Sequence, residues 1–363
     1  MDYLLHPYRM GSILKYKVLE DESCSIIDII GHYDQPAFIF PGEIDSHPVV
    51  HIENRALTAL SGIKKVTIPS TVMRLGDYIG EEPDLILSSI KFPETLESIT
   101  VDKANKAFCS VKGILYSRNK DILYYCPRQI DRSGIKTDAC TRRIFRKAFA
   151  GCLNIRTVTI LADVVEEKAF ESCKHLESVI CDVSKIEDKA FSDCENLKEV
   201  VMGNQLRYIG DYAFANCTKL SAVHTDTDRL QRMVTNSFFN CTSLKTIFIP
   251  EGSDFVSIED VVFRKTNPDN IFNEDVPVGM YSLVLYPSKR KAETYVLPMN
   301  AYAIEDGAFS NLFYDLQVYM PSYCVSNIDL MDSTGPSNIG YLVGDVWNYP
   351  NWKIGIERHW IDK

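Results

Sequence analysis

Eleven cysteines and seven histidines are the residues of this 363-residue chain with the most versatile chemistry. Thiolates can attack a substrate, pair as disulfides or hold a metal beside imidazoles. Their spacing favours none of these. The chain contains no Cys-x-x-Cys and no His-Glu-x-x-His, and it lacks Gly-x-Ser-x-Gly, Gly-x-x-x-x-Gly-Lys and Gly-x-Gly-x-x-Gly. His47 and His51 stand four apart, as a helical metal pair would, but Pro48 lies between them and the context is the start of a strand. Cys173 and His175 are two apart in a turn, a spacing that gives a thiolate–imidazole pair no facing geometry. No catalytic residue, metal ligand or cofactor site is expected.

What the cysteines do show is a period. Ala148-Phe149-x-x-Cys152 returns as Ala169-Phe170-x-x-Cys173, Ala190-Phe191-x-x-Cys194, Ala213-Phe214-x-x-Cys217 and, varied, Ser237-Phe238-x-x-Cys241, at intervals of 21, 21, 23 and 24 residues. Such a period belongs to solenoids. A leucine or isoleucine follows each cysteine by three (Ile155, Leu176, Leu197, Leu220, Leu244), and a further apolar residue comes three later (Val158, Val179, Val200, Val223, Ile247). This tail alternates at period two and is rich in β-branched residues, so strands are predicted near 155–160, 176–181, 197–202, 220–225 and 244–249. The polar surroundings of Ala-Phe-x-x-Cys predict one turn of helix with the phenylalanine inward. A unit of one short strand and one turn can bury its apolar edge only against the next unit, so the coils must stack. The five repeat cysteines then fill the narrow turn as reduced, buried thiols, since 3% cysteine is too sparse for a disulfide scaffold.

With this period and pattern the sequence resembles the BspA-like leucine-rich-repeat family. The resemblance implies an α/β leucine-rich-repeat solenoid with a parallel β-sheet on the concave face, short helical turns on the convex side, β-hairpin insertions and an N-terminal hairpin cap. Further repeat openings are read at Val256–Phe263 and at Ile304–Phe309, and earlier strands at Val66–Ile68 and Ile99–Val101. Val111–Tyr116 and Ile122–Cys126, flanking a polar turn, resemble the inserted hairpin of such arrays, and Leu283–Tyr286 the second arm of another. Ile13–Val18 and Ser25–Ile30 read as a hairpin that lids the first coil. The expected organisation is a cap over 1–44, a solenoid over 45–325 with insertions near 108–128 and 263–290, and a C-terminal cap over 326–363. All three tryptophans, Trp347, Trp352 and Trp360, lie in that last segment, as a lid or a stacking surface.

Composition sets bounds. With 39 basic against 49 acidic residues and no basic run, nucleic acid is excluded as a partner. No apolar run reaches the roughly 18 residues of a membrane span. The first residues lack the basic start and apolar stretch of an export signal, which favours the cytoplasm, whereas the resemblance implies a cell-surface or secreted protein whose signal has been trimmed.

What remains is surface. Residues flanking the central valine of each strand point away from the core. They pair as Lys65 and Thr67, Ser98 and Thr100, Thr157 and Thr159, Ser178 and Ile180, Glu199 and Val201, Ala222 and His224, Thr246 and Phe248, and Gln317 and Tyr319. Thr157, Thr159, Ser178, Glu199, His224, Thr246, Phe248 and Tyr319 are the candidate partner-binding residues of a concave face. The functional expectation is a monomeric, non-catalytic scaffold that recognises a protein, or in second place a glycan. The alternatives are a structural spacer of a surface assembly and an enzyme with its chemistry in the insertions or the C-terminal tail.

Overall fold

The computed structural model describes residues 3–77, 90–250, 252–265, 279–290, 292–305, 307–309, 312, 316–320, 339–343 and 358–359, with backbone alone at 10, 235, 339–343 and 358–359. The expected C-terminal cap with its three tryptophans falls almost wholly outside these residues, as does Cys324. Two compact units emerge, Met1–Thr157 with Leu161–His175, and Val158–Ile160 with Leu176–Lys363. Both are solenoids of stacked parallel strands with little helix.

The repeat is clearest in the second unit. Its long strands, Ser178–Asp182, Glu199–Met202, Ala222–Thr225 and Thr246–Phe248, form one parallel sheet with Val179, Val200, Val223 and Ile247 in register. These four side chains are buried, as period-two alternation requires. Each coil also holds a second strand that the sequence reading missed. Lys185–Ile186, Tyr208–Ile209 and Arg232–Met233 make their own parallel ladder just before each Ala-Phe or Ser-Phe. Two residues are too few to alternate visibly, so only the lone apolar position marks them.

The four Ala-Phe-x-x-Cys segments are hydrogen-bonded turns, not the helical turns expected, whereas the Ser237-Phe238 variant closes a 3₁₀ turn over Thr235–Phe238. Left-handed backbone explains why. Lys147, Lys168, Lys189 and Tyr212, before each alanine, have φ of 58°, 58°, 56° and 52°, and Gly151, Ser172, Asp193, Asn216 and Asn240, before each cysteine, have φ of 57° to 70°. Two such residues per turn interrupt any right-handed helix. The freed amides bond to the next coil instead: Phe191 N–H donates to Ala213 O (2.7 Å) and Asp193 N–H to Ala215 O (2.8 Å), as Phe149 does to Ala169 (2.7 Å) in the first unit. Among described residues the one α-helix is Asn54–Thr58, beside three short 3₁₀ turns.

Inside the turns the phenylalanines stack. Phe191 and Phe214 lie 5.2 Å apart at 1°, Phe214 and Phe238 5.1 Å at 5°, and, in the first unit, Phe149 and Phe170 4.5 Å at 9°. All five are fully buried.

A three-stranded antiparallel meander recurs three times. Leu4–Pro7, Ile13–Val18 and Cys24–Ile30 form the first, Phe108–Val111, Ile114–Ser117 and Ile122–Tyr125 the second, and Phe255–Ile258, Val261–Lys265 and Tyr281–Leu285 the third. Each delivers its last strand into a parallel ladder, onto His47–Ile52, Arg143–Ile144 and Ala301–Ile304 respectively. The third corrects the sequence reading, which made Val256–Phe263 a repeat opening. Glu259 and Asp260, with φ of 48° and 68°, form a two-residue hairpin turn that folds Val261–Lys265 back antiparallel.

Candidate interaction face

In a parallel sheet, residues of one parity on neighbouring strands stand in rows. On the outward side of the long-strand sheet of the second unit, Ser178, Glu199, Ala222 and Thr246 make one row, and Ile180, Val201, His224 and Phe248 the next. The second row is apolar but for one imidazole, and the large apolar residues at its ends are about half exposed, Ile180 at 52% and Phe248 at 54%. With about half of each side chain left in water, isoleucine and phenylalanine contribute less to folding there than in the core.

Charge borders the row on both sides. Before the strands stand the exposed Lys198 and Lys245, with Lys198 bound to Glu177 at 2.7 Å and, at the preceding turn, Lys219 to Asn196 Oδ1 at 2.6 Å. Past the strands stand the exposed Asp182 and Asp226. A Cβ on Gly203 would collide with Asp182 Oδ1, so the glycine leaves room for that carboxylate.

The structure does not gather every residue singled out from sequence. Ser178, Glu199, His224, Thr246 and Phe248 share the sheet just described. Thr159, half-buried on Thr157–Leu161, belongs to the same sheet, and Thr157, exposed, begins that strand. Tyr319 stands apart. It is half-buried on Leu316–Met320, in a separate sheet where Val296 and Leu342 are its register partners. The long-strand ladder ends at Thr246–Phe248 because the next segment enters the third meander, so the expected row of His224, Phe248 and Tyr319 stops after two members. In the first unit Lys65 is in register with Ser98, and Thr67 with Thr100.

The candidate metal pair resolves into two separate structural histidines. His47 Nδ1 lies 2.7 Å from Glu22 O, whereas the half-buried His51 sits between Gly76 O (Nε2, 2.7 Å) and Ser25 Oγ (Nδ1, 3.0 Å). Burial lowers the His51 pKa, favouring a neutral ring that donates from Nε2 and accepts at Nδ1.

The cysteines acquire a role that spacing did not reveal. Cys173 Sγ donates to Phe149 O (3.0 Å), Cys217 to Phe191 O (3.2 Å) and Cys241 to Phe214 O (3.1 Å), each reaching back one coil. All ten described cysteines are free thiols, eight of them buried. The signal was present in the sequence, since cysteine is small enough for the turn and still a donor.

No described helix is long and apolar enough to cross a membrane. Solved structures similar to this chain include a leucine-rich repeat protein from Eubacterium ventriosum (22% identity, 60% of this chain and 62% of that one, TM-score 0.42) and the pneumococcal vaccine antigen PcpA (18%, 57% and 56%, 0.41). A leucine-rich cell surface protein from Faecalibacterium prausnitzii is similar at 19% identity over 90% of this chain and 72% of that one, with a TM-score of 0.40. The chain thus spans less than two thirds of the first two. No curated protein matches it. The BspA-type leucine-rich-repeat model matches in six copies over residues 43–114 and 163–277, just over half of the sequence, and the chain belongs to that family.

Proposed function

We propose that the chain is a non-catalytic binding scaffold, and that the outward side of the long-strand sheet in its second unit is the concave face that recognises a protein. One observation carries the reading: Ile180, Val201, His224 and Phe248 stand in register on four adjacent strands, with a large apolar side chain exposed at each end. At about 4.8 Å per strand the row runs roughly 14 Å, long enough to seat an apolar stretch of a partner between the lysines on one side and the aspartates on the other. Recognition would rest on preorganisation. Every outward residue is held by a backbone already bonded on both sides or packed against the next coil, so little ordering cost opposes binding. A protein fits the row better than a glycan, because aromatic and aliphatic anchors with a charged rim are typical of protein interfaces. In the same reading the N-terminal meander, whose Leu14, Tyr16, Cys24 and Ile26 join the first unit's core, closes the end of that core.

The test is affinity capture from the native source on immobilised full chain, compared with Ile180→Asp and Phe248→Ala. Both variants should lower recovery of the same partner by at least about fivefold, the effect of losing roughly 1 kcal/mol at a surface anchor. Equal recovery by wild type and both variants would remove the face from consideration.

A further inference from the structure

The first unit contains a cleft of about 550 Å³. That is the volume of an ordinary small-molecule site, for which roughly 300–1,000 Å³ is usual. It runs past four successive turns, from Thr58 to Ala150, and its floor is aromatic: Phe92 and Tyr125 are both buried, their rings 4.9 Å apart.

Three features point to an occupant. The first is Tyr125. Only 7% exposed, it lines the cleft, and its hydroxyl makes no hydrogen bond among the described residues while keeping some contact with solvent. Most polar groups so deeply placed are bonded within the protein, so this donor is left for water or a bound molecule. Burial raises its pKa, so it is a neutral donor.

The second is charge. Lys91, Arg128 and Lys147 line the cleft against a single carboxylate, Glu94, which pairs with Arg128. The exposed ammonium groups of Lys91 and Lys147 have no ion-pair or hydrogen-bond partner among described residues. A locally cationic cleft runs counter to a chain whose net charge is −10.

The third is Gly151. Later repeats place Ser172, Asp193, Asn216 and Asn240 at this left-handed position, so the backbone does not demand glycine. A Cβ here would meet the Arg128 guanidinium at 3.2 Å. The first repeat thus has no side chain beside the Arg128 guanidinium, where a Cβ would require the arginine to shift by a few tenths of an ångström.

We propose that this cleft binds a small carboxylate carried on a six-membered ring. The carboxylate meets the ammonium groups of Lys91 and Lys147, the ring rests against the small exposed edges of Phe92 and Tyr125, and the Tyr125 hydroxyl donates to a ring substituent or to the carboxylate. An aryl acid and a hexuronic acid share this chemistry.

Saturation-transfer NMR on the full chain separates the two sources, with benzoate and glucuronate as probes and benzyl alcohol and methyl glucoside as neutral controls. One anion should show transfer to its ring protons, and its neutral control should bind at least about tenfold more weakly, as expected from losing a charge-assisted contact. Lys91→Glu with Lys147→Glu should abolish the signal; both residues are exposed, so folding should persist. Tyr125→Phe should weaken binding about fivefold while the Tm stays unchanged or rises, because it removes a hydroxyl that the fold does not use. A drop in Tm for Tyr125→Phe with unchanged binding would make the tyrosine purely structural and overturn its role. No transfer from either anion at about 10 mM, equal binding of the neutral controls, or unchanged binding in the double variant would overturn the site.

Discussion

The thiol of Cys217 donates to the backbone carbonyl of Phe191, one coil back, at 3.2 Å. The bond ties a repeat's turn to the stacked ring of its predecessor, and it recurs at Cys173 and Cys241. Cys217→Ala should therefore cost about 1–3 kcal/mol, from a lost donor and a small cavity together. Cys217→Ser keeps a donor of similar size and should cost less. Urea unfolding of both variants checks the order, and a serine as costly as alanine would mean that the sulfur acts through packing alone.

Thiol accessibility follows the same geometry. Cys140 is exposed and Cys109 half-buried, whereas Cys24, Cys126, Cys152, Cys173, Cys181, Cys194, Cys217 and Cys241 are buried. Burial raises the Cys181 pKa to about 12 and that of Cys24 to about 11, which depletes the reactive thiolate further. Ellman titration of the native chain should label Cys140 first, leave those eight unreacted, and reach all eleven cysteines only in denaturant.

Two glycines of the second unit should respond differently to alanine. At Gly210 a Cβ would come within 2.7 Å of the backbone of Glu187 and Asp188, which cannot swing aside, so Gly210→Ala should destabilise by about 1–3 kcal/mol. At Gly203 the obstacle is the Asp182 side chain, exposed and able to rotate. Gly203→Ala should stay within about 0.5 kcal/mol, as surface changes usually do. Thermal unfolding of the pair measures the difference.

His51 gives the first unit a pH dependence. Burial lowers its folded-state pKa below the unfolded value of about 6.5, so below that pH the unfolded chain binds more protons at this site than the folded one. Its contribution is intact above about pH 6.5 and is lost as pH falls towards the folded pKa. His51→Gln can donate to Gly76 O and accept from Ser25 without titrating. Urea midpoints from pH 7.5 to 5 should fall less steeply in the variant than in wild type, and parallel curves would exclude His51 as the cause.

Repetition made the stacking legible before any coordinates. A period of 21 to 24 residues, an alternating tail and a phenylalanine and cysteine at constant places require only that each unit resemble the next, and neighbouring units then have nothing to bury against but one another. The inward valines, the phenylalanine column and the outward parity of Ile180, His224 and Phe248 all follow from that local pattern. The tertiary structure decided what self-similarity does not encode. The second strand of each coil is two residues long, below the length at which alternation can be read, and it exists because the preceding coil offers a ladder to join. The turns are not helical because left-handed Lys189 and Asp193, and their counterparts, bond to the next coil rather than along their own. Tyr319 left the row of His224 and Phe248 because Glu259 and Asp260 turn the chain back into a meander. The cleft draws Lys91 and Phe92, and Tyr125, from the stretch where the repeat is most degenerate, and Lys147 from the first regular repeat, and only folding brings them to one place.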